Sequence, residues 1–242
     1  MRGWARRGLA LFLCLGMVFF SGGAFALCRA SRQTGLPVSA PAGEKLVALT
    51  FDDGPMGATT AALLDGLSRR GVCATFFLVG EQLAGNEALV LRMDREGHQI
   101  GIHSYHHKAL TGLNKPDFYE EVGRLREELT TLLGHNSFLL RPPYGIVDTQ
   151  VQRMAEAPII LWSIDPEDWS DENSDRQVAV ILDQVRDGSV ILLHDIYPTS
   201  VDTALRVVDA LLGQGYYFVT VEQLFAARGI RLEAGEIYRN AY

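Results

Sequence analysis

The sequence predicts an α/β fold on a parallel, barrel-like sheet, and three observations carry that expectation. From residue 45 onward, seven short apolar runs alternate with seven longer amphipathic ones. The short runs are almost continuously apolar, as strands are when helices cover a parallel sheet. Polar groups gather just past five of them: Asp52 and Asp53 after the first, His103 after the third, Arg141 after the fourth, Asp165 and Asp168 after the fifth, His194 and Asp195 after the sixth. Barrels assemble their sites at C-terminal strand ends, whereas an open doubly wound sheet binds mainly at one switch point. Reactive groups on five strand ends therefore favour the barrel.

The chain begins with a segment of another kind. Arg2, Arg6 and Arg7 precede an apolar run, 9–20, and then small residues ending in Ala24-Phe25-Ala26. That order predicts a secretory signal over 1–26, cleaved or retained as an anchor, and hence a secreted or cell-surface protein. Residues 27–44, with Pro37 and Pro41, read as a linker, and 45–242 as one catalytic domain. Cleavage after Ala26 would remove three arginines and no acid, taking the formal charge from −7 to −10. So acidic a chain is a poor partner for nucleic acid. Cys28 and Cys73 are too few for a disulfide framework.

The first strand, 46–51, runs into the paired carboxylates Asp52 and Asp53 and then Gly54-Pro55. Adjacent carboxylates repel, so the pair costs stability unless a cation or a functional role compensates. A helix is expected over 58–70 and a core strand over 74–79, where Thr75, Phe76 and Phe77 lie. The spacing next predicts a helix over 87–96 and a strand over 99–102. Phe118, Val122, Leu125, Leu129 and Leu132 recur at steps of three or four and predict one helix over 117–133. Strands follow at 138–140, 159–162, 190–193 and 216–219, with helices at 149–155, 175–186, 200–212 and 221–228. Gly71, Gly97, Gly134 and Gly215 stand where left-handed helix stops are expected.

His103-Ser-Tyr-His-His107 is the strongest local signal for chemistry. On a helical turn, four-residue spacing brings both rings to one face. One carboxylate from another strand end would complete three protein ligands with an open position, a catalytic zinc-type site. His106, three residues from His103, is a weaker alternative. A lone HxxxH is more often a solvated surface cluster, but the paired aspartates reverse that balance. Trp169 could equally pack in a core, and Asp165 and Asp195 read as loop braces. His98 and His135 are expected to be structural or solvated.

TFDDGP (50–55), HSYHH (103–107), RPPYG (141–145), DPEDW (165–169) and LLHD (192–195) resemble, in order, the five motifs of the polysaccharide deacetylases, carbohydrate esterase family 4, also called the NodB homology domain. The resemblance spans roughly 46–224. It implies a distorted, incomplete (β/α) barrel, in line with about seven parallel strands. It implies Asp52 as catalytic base and Asp53, His103 and His107 as ligands of one divalent ion. Zn2+ is the first expectation, and Co2+, Ni2+ or Mn2+ suit the same donors. Such an ion would relieve the carboxylate repulsion and activate a water, whose proton Asp52 takes as the water attacks the acetyl carbonyl. The resemblance further implies Arg141 holding Asp52 as a carboxylate, the Tyr144 backbone N–H at the oxyanion and His194 as the acid for the departing amine. Asp168 would orient His194. Pro143, Tyr144, Trp169 and Leu193 would meet the sugar.

The implied reaction is N-deacetylation of N-acetylglucosamine in a cell-wall glycan, with peptidoglycan the first expectation, by a monomer that meets a membrane only through an uncleaved anchor. The same site could serve chitin, chito-oligosaccharides or acetylated xylan. A glycan-binding domain with a dead site is the non-enzymatic rival, and the presence of base, ligands, arginine and acid argues against it.

Overall fold

The computed structural model describes residues 43–242; the expected signal and nearly all of the expected linker lie outside the described residues. Eight strands form one sheet: β1 (Lys45–Asp52), β2 (Thr75–Leu78), β3 (Gln99–Ile102), β4 (Leu139–Leu140), β5 (Ile159–Ile160), β6 (Ser189–His194), β7 (Tyr216–Phe218) and β8 (Ile237–Tyr238). Their order is β6-β1-β2-β3-β4-β5-β8, with β7 also on β1, and every pairing is parallel. Seven strands match the expected runs. The eighth is two residues long and carries no readable period, and it adds to the edge of β5.

β1 is the hub. One edge pairs with β6 from Val47 to Asp52. The other takes β7 at Lys45–Val47 and β2 at Thr50–Asp52. No strand pairing joins β5 to β6. A strap crosses that gap: Ser163 and Ile164 N–H groups donate to Val190 O at 3.0 and 3.2 Å, and Leu192 N–H donates to Ile164 O at 3.0 Å. The expected incomplete barrel is the result.

The helices are α1 (Gly57–Arg70), α2 (Glu87–Glu96), α3 (Lys115–Phe118), α4 (Arg124–Leu133), α5 (Thr149–Met154), α6 (Ser174–Gln184), α7 (Pro198–Gly213) and α8 (Val221–Ala227). Gly71, Gly97 and Gly134 end their helices at φ 65°, 87° and 77°, a conformation costly for any residue with a Cβ. The helix expected over 117–133 starts earlier, on the Asn114 cap, and is interrupted by a π turn, Tyr119–Gly123. Among the described residues, no helix is long and apolar enough to cross a membrane.

Strand alternation divides the core in two. Val47, Leu49 and Phe51 face the helices with Leu63, Leu67 and Val207. Ala48 faces the barrel interior with Phe77, Leu139, Ile160 and Val190. At the strand starts, α8 closes the barrel: Val221 N–H donates to Thr75 Oγ1 at 3.0 Å and Glu222 N–H to Gln99 Oε1 at 3.1 Å. The opposite mouth, at the strand ends, stays open for the site.

Phe76 has no exposed surface, stacks on Phe51 at 5.2 Å and meets His98 edge-on at 5.3 Å. Phe76→Ala is expected to lower the unfolding free energy by about 3–5 kcal/mol, because the cavity cannot fully collapse. Trp169→Ala, on a ring 58% exposed, should cost within about 0.5 kcal/mol. Urea titrations of both variants check the contrast.

Candidate active site

Asp52 and His194 are register partners at the ends of neighbouring strands. Asp52 continues the inward set of Ala48 and Thr50, so its carboxylate enters the barrel mouth, 2% exposed. Arg141 meets it there, with no exposed surface. Its Nη1 donates to Asp52 Oδ1 at 2.7 Å and to Thr50 Oγ1 at 2.8 Å, and Nε donates to Ile160 O at 3.0 Å. Its guanidinium lies 4.1 Å from the Phe77 ring centroid. A surface ion pair, the ordinary alternative for this arginine, is thereby excluded.

The chain then turns sharply. Asp53 has φ 75°, and Gly54 leaves space that a Cβ would lose, since that atom would lie 2.2 Å from Asp195 Oδ1. Asp195 is buried, accepts the Thr60 hydroxyl, and braces this turn as expected of a loop residue. Burial, joined by the charges of Asp53 and Asp52, pushes its carboxyl up to about 7 against the opposing Thr60 hydrogen bond.

Asp53, His103 and His107 converge, each offering one donor atom within 4.8 Å of the others. Asp53 Oδ1 lies 3.4 Å from His103 Nε2 and 3.2 Å from His107 Nε2. Donors about 2.0–2.2 Å from one tetrahedral ion stand roughly 3.3–3.6 Å apart, close to the spacing here, which suits a shared ion. Asp53 Oδ1 is also buried with no hydrogen-bond partner, a cost that a cation removes. The His103 Nδ1–H donates to Arg141 O at 2.7 Å, which directs Nε2 at Asp53. Burial, outweighing the pull of Asp52 and Asp53, lowers the His103 pKa and favours the neutral ring that a ligand needs.

The loop that presents these rings is not the helical turn expected from HxxxH. It is an irregular bend with Ser104 at φ 65° and His107 at φ 53°. Glu121, which the sequence reading missed, holds it. Its carboxylate is 3% exposed and accepts the N–H groups of Tyr105 and His106 at 3.2 and 2.9 Å. It also pairs with His106 Nδ1 at 2.9 Å and Lys108 Nζ at 3.3 Å. Burial raises the Glu121 pKa, but these donors together hold it below the usual carboxylate range. His106 is thus occupied by Glu121 and stays out of the triad. Glu121 lies in the π turn, where one inserted residue rotates it inward.

On the other side, His194 Nδ1 pairs with Asp168 Oδ1 at 2.8 Å, and the His194 N–H donates to Asp168 Oδ2 at 2.9 Å. The buried Ser200 hydroxyl also donates to Oδ2. Burial lowers the His194 pKa, but the Asp168 hydrogen bond and charge, with help from Asp52 and Asp53, raise it to about 9. Asp165 braces the same loop, accepting the Glu167 N–H at 2.8 Å. Arg176 steadies it from outside through Pro166 O at 2.9 Å.

Tyr144 and Trp169 stand on the rim, 63% and 58% exposed. Tyr144, at φ 61°, follows the buried Pro143 and packs edge-on against His107 at 4.9 Å. Leu193 departs from its expected place: it has no exposed surface and packs with Phe51 in the helix-side core. Alternation along β6 turns it away from the face that bears His194. It therefore walls no groove. Tyr197, 37% exposed with its ring 6.3 Å from that of His194, occupies the rim on that side.

Residues 39–159 match the family profile described as polysaccharide deacetylase. The chain is 39% identical over 181 residues to peptidoglycan-N-acetylmuramic acid deacetylase PdaC of Bacillus subtilis, covering 75% of this chain and 39% of that protein. It is 38% identical over 194 residues to peptidoglycan-N-acetylglucosamine deacetylase PgdA of Listeria monocytogenes, covering 80% and 41%. It thus spans about two fifths of the length of these curated relatives. A solved structure, "T48 deacetylase with substrate", superposes with a TM-score of 0.77 at 39% identity, covering 81% of this chain and 98% of that one.

Two outcomes follow from this geometry. Glu121→Ala should release the 103–107 loop and weaken Zn2+ binding by about tenfold or more, the scale for losing a group that orients a ligand. Competition against a chromophoric chelator reads it, and unchanged affinity would remove Glu121 from this role. In metal-free protein, NMR titration should find His194 still charged at neutral pH, as a pKa near 9 requires. In Asp168→Asn its pKa should fall, because burial then acts without the compensating carboxylate. The sign for stability is fixed by the raised value. The imidazolium's contribution is full below about 6.5 and is lost as pH climbs through about 9.

Proposed function

The chain belongs to the polysaccharide deacetylase family, and on that premise we propose that it is a metal-dependent hydrolase removing N-acetyl groups from N-acetylglucosamine units of peptidoglycan. The carrying observation is the pairing of Asp52 and His194 on adjacent strand ends, each held by its own partner, across the Asp53–His103–His107 cluster. The names of the two curated relatives place their activity on peptidoglycan, which supports that substrate. Residues 45–242 would form the catalytic domain, working outside the cytoplasm.

Asp53, His103 and His107 would hold one divalent ion, which when bound supplies Lewis acidity at neutral pH. Asp52, fixed through Oδ1 by Arg141, presents Oδ2, 3.6 Å from His103 Nε2, to accept a proton from the attacking water. The Tyr144 N–H donates to the oxygen that gains charge as the acetyl carbon becomes tetrahedral. His194 engages Asp168 through Nδ1, so Nε2–H is left for the amine nitrogen. As the C–N bond breaks, that proton moves to the nitrogen, giving acetate and a free amino sugar. A ring charged up to about 9 carries this proton throughout the neutral range. Trp169, Tyr144 and Tyr197 offer aromatic faces to the sugar.

Acetate release from peptidoglycan strands, chito-oligosaccharides and acetylated xylan, with and without chelator, tests the reading. Release from peptidoglycan that chelator abolishes is expected; release from xylan alone would overturn it. His103→Ala should lose bound metal by elemental analysis. Asp52→Asn should keep metal while the rate falls by about 10²-fold or more, the size expected for losing a general base. If Asp52→Asn empties the site instead, the two aspartates are assigned the wrong way round.

A further inference from the structure

A cavity of about 490 Å3 opens on the barrel flank between the α3–α4 segment and α5, lined by Lys115, Arg126 and Arg153 with an apolar wall of Phe118, Tyr119 and Met154. In a chain of net charge −7, three cations facing one cavity invite explanation. Arg70, Arg92, Arg124, Arg141, Arg176, Arg206 and Arg228 each meet a carboxylate, whereas Arg69, Arg95, Arg186, Arg231 and Arg239 have no such partner among the described residues and are exposed to solvent. Among the described residues, the side chains of Lys115, Arg126 and Arg153 have no ion pair or hydrogen bond. Lys115 and Arg153 are exposed, but Arg126 is half-buried, and its burial lowers its pKa against the pull of Glu156. A partly desolvated guanidinium without a partner is costly. Two carboxylates share the lining, and neither fills the need. Glu127 takes the Tyr119 hydroxyl at 2.5 Å, and Glu156 acts on Arg126 only through space. Residues 1–42 contain no Asp or Glu, so that segment of the chain offers no carboxylate either.

We propose that this cavity seats a carboxylate on a short peptide arm, namely the stem peptide of the peptidoglycan strand whose sugar occupies the active site. The proposal rests on the peptidoglycan reading above. The cavity's two walls leave the site together. Tyr144 OH donates to His107 O at 3.4 Å at the rim, and further on Gln150 Nε2 donates to Leu113 O at 2.8 Å. From His107 the chain reaches Lys115, the edge of the cavity nearest the site, in eight residues, at most about 29 Å even if fully extended. Arg153 stands one turn past Gln150 on α5, and Arg126 lies eleven residues past Lys115, about 16 Å further along the helix. A stem peptide at about 3.3–3.6 Å per residue does not span that distance alone, so it must be carried on a neighbouring sugar of the strand lying along this flank. The apolar wall suits the methyl groups of a short peptide, and the guanidinium forks suit its carboxylates. Chitin carries no carboxylate, so this cavity would separate peptidoglycan from a neutral glycan that the catalytic groups alone treat alike.

The test uses the full chain, an Arg126→Gln/Arg153→Gln double variant, and Arg126→Lys. Initial rates are measured on phosphate-free peptidoglycan strands bearing stem peptides, on the same strands after an amidase has removed those peptides, and on chito-oligosaccharides. In the double variant, KM for peptide-bearing strands should rise about tenfold with kcat unchanged, the size of a lost charge-assisted contact. KM for the other two substrates should stay put, and the gap should narrow at high salt. Arg126→Lys should keep much of the affinity. Equal losses on all three substrates would mark a structural role and overturn the proposal. So would no change on any, or an effect that appears only on strands carrying phosphate polymers. Co-sedimentation reads binding without turnover. Wild type should prefer peptide-bearing strands and the double variant should not, so an absence of acetate release would sink the proposed activity and leave the cavity independently testable. A dimer by light scattering that the double variant breaks would give the cavity to a second copy and overturn the proposal.

Discussion

The architecture of the mouth depends on one buried arginine. Arg141 lies wholly inside the barrel and hydrogen-bonds three parts of the chain at once. Its guanidinium binds Asp52 and Thr50 on β1 and the carbonyls of Ile160 and Leu161, where the chain leaves β5 toward the strap. Its own carbonyl takes the proton of His103 Nδ1. A charge this deep is tolerated only when its donors are spent, and here Nε, Nη1 and Nη2 each have acceptors. An aliphatic residue of similar volume could pack between Phe77 and Trp162 at less desolvation cost. It would leave Asp52 buried and alone, while the backbone carbonyl that orients His103 would be present whatever the side chain. The arginine side chain therefore makes sense as a device for holding the Asp52 carboxylate in place. Stability alone would not select it.

The rest of the mouth is arranged around an excess of negative charge. Asp52, Asp53 and Asp195 crowd the end of β1, and only Asp52 has a cationic side chain paired at hydrogen-bond distance. Burial, with the charges of Asp53 and Asp52, raises the Asp195 pKa to about 7. Asp53 keeps a buried oxygen without a donor. A fold that leaves such an atom unsatisfied is less stable without a cation than with one, and binding returns that deficit as stabilisation. The repulsion that made the adjacent aspartates conspicuous in sequence is thus a feature of the folded chain. One carboxylate is neutralised by an internal arginine, and its neighbour is left open toward two imidazoles.

Legibility in the sequence followed the range of the interactions involved. Strands, helix stops and the groups on strand ends were readable because each depends on residues close in the chain. The short continuous apolar run, the glycine stop and the polar residue that ends such a run are all local. What escaped depends on distant partners. Glu121 looks like one more solvated glutamate on an amphipathic helix until the π turn rotates it under the 103–107 loop, 14 or more residues earlier in the chain. Thr60, Ser200 and Arg176 matter only through Asp195, Asp168 and the carbonyl of Pro166. The misplacement of Leu193 is different, because parity alone could have prevented it. If His194 points into the mouth, its neighbour on the strand must point to the helices. The helical reading of HxxxH failed for another reason. Four-residue spacing also brings two rings together across a bend, provided the backbone visits left-handed conformations, as Ser104 and His107 do.

The division of labour between the two sides of the mouth bears on what kind of bond the site suits. An ester's alkoxide leaving group can be helped by weak acids, whereas an amine must gain a proton before it can depart. A histidine near its ordinary pKa of about 6.5 would be about three-quarters discharged at pH 7. This one is buried, which alone would discharge it further, and it is held up to about 9 by a carboxylate that itself takes a backbone N–H and a serine hydroxyl. That is considerable structure to maintain one proton. A bound dication would oppose the share contributed by Asp52 and Asp53, but it leaves the direct Asp168 contact intact. The imidazolium is therefore secured by its own partner on its own side of the site, independent of whatever neutralises the aspartates across from it. Such independence lets a strongly acidic cluster and a charged imidazole coexist on neighbouring strand ends, the combination that amide hydrolysis requires of a site this small.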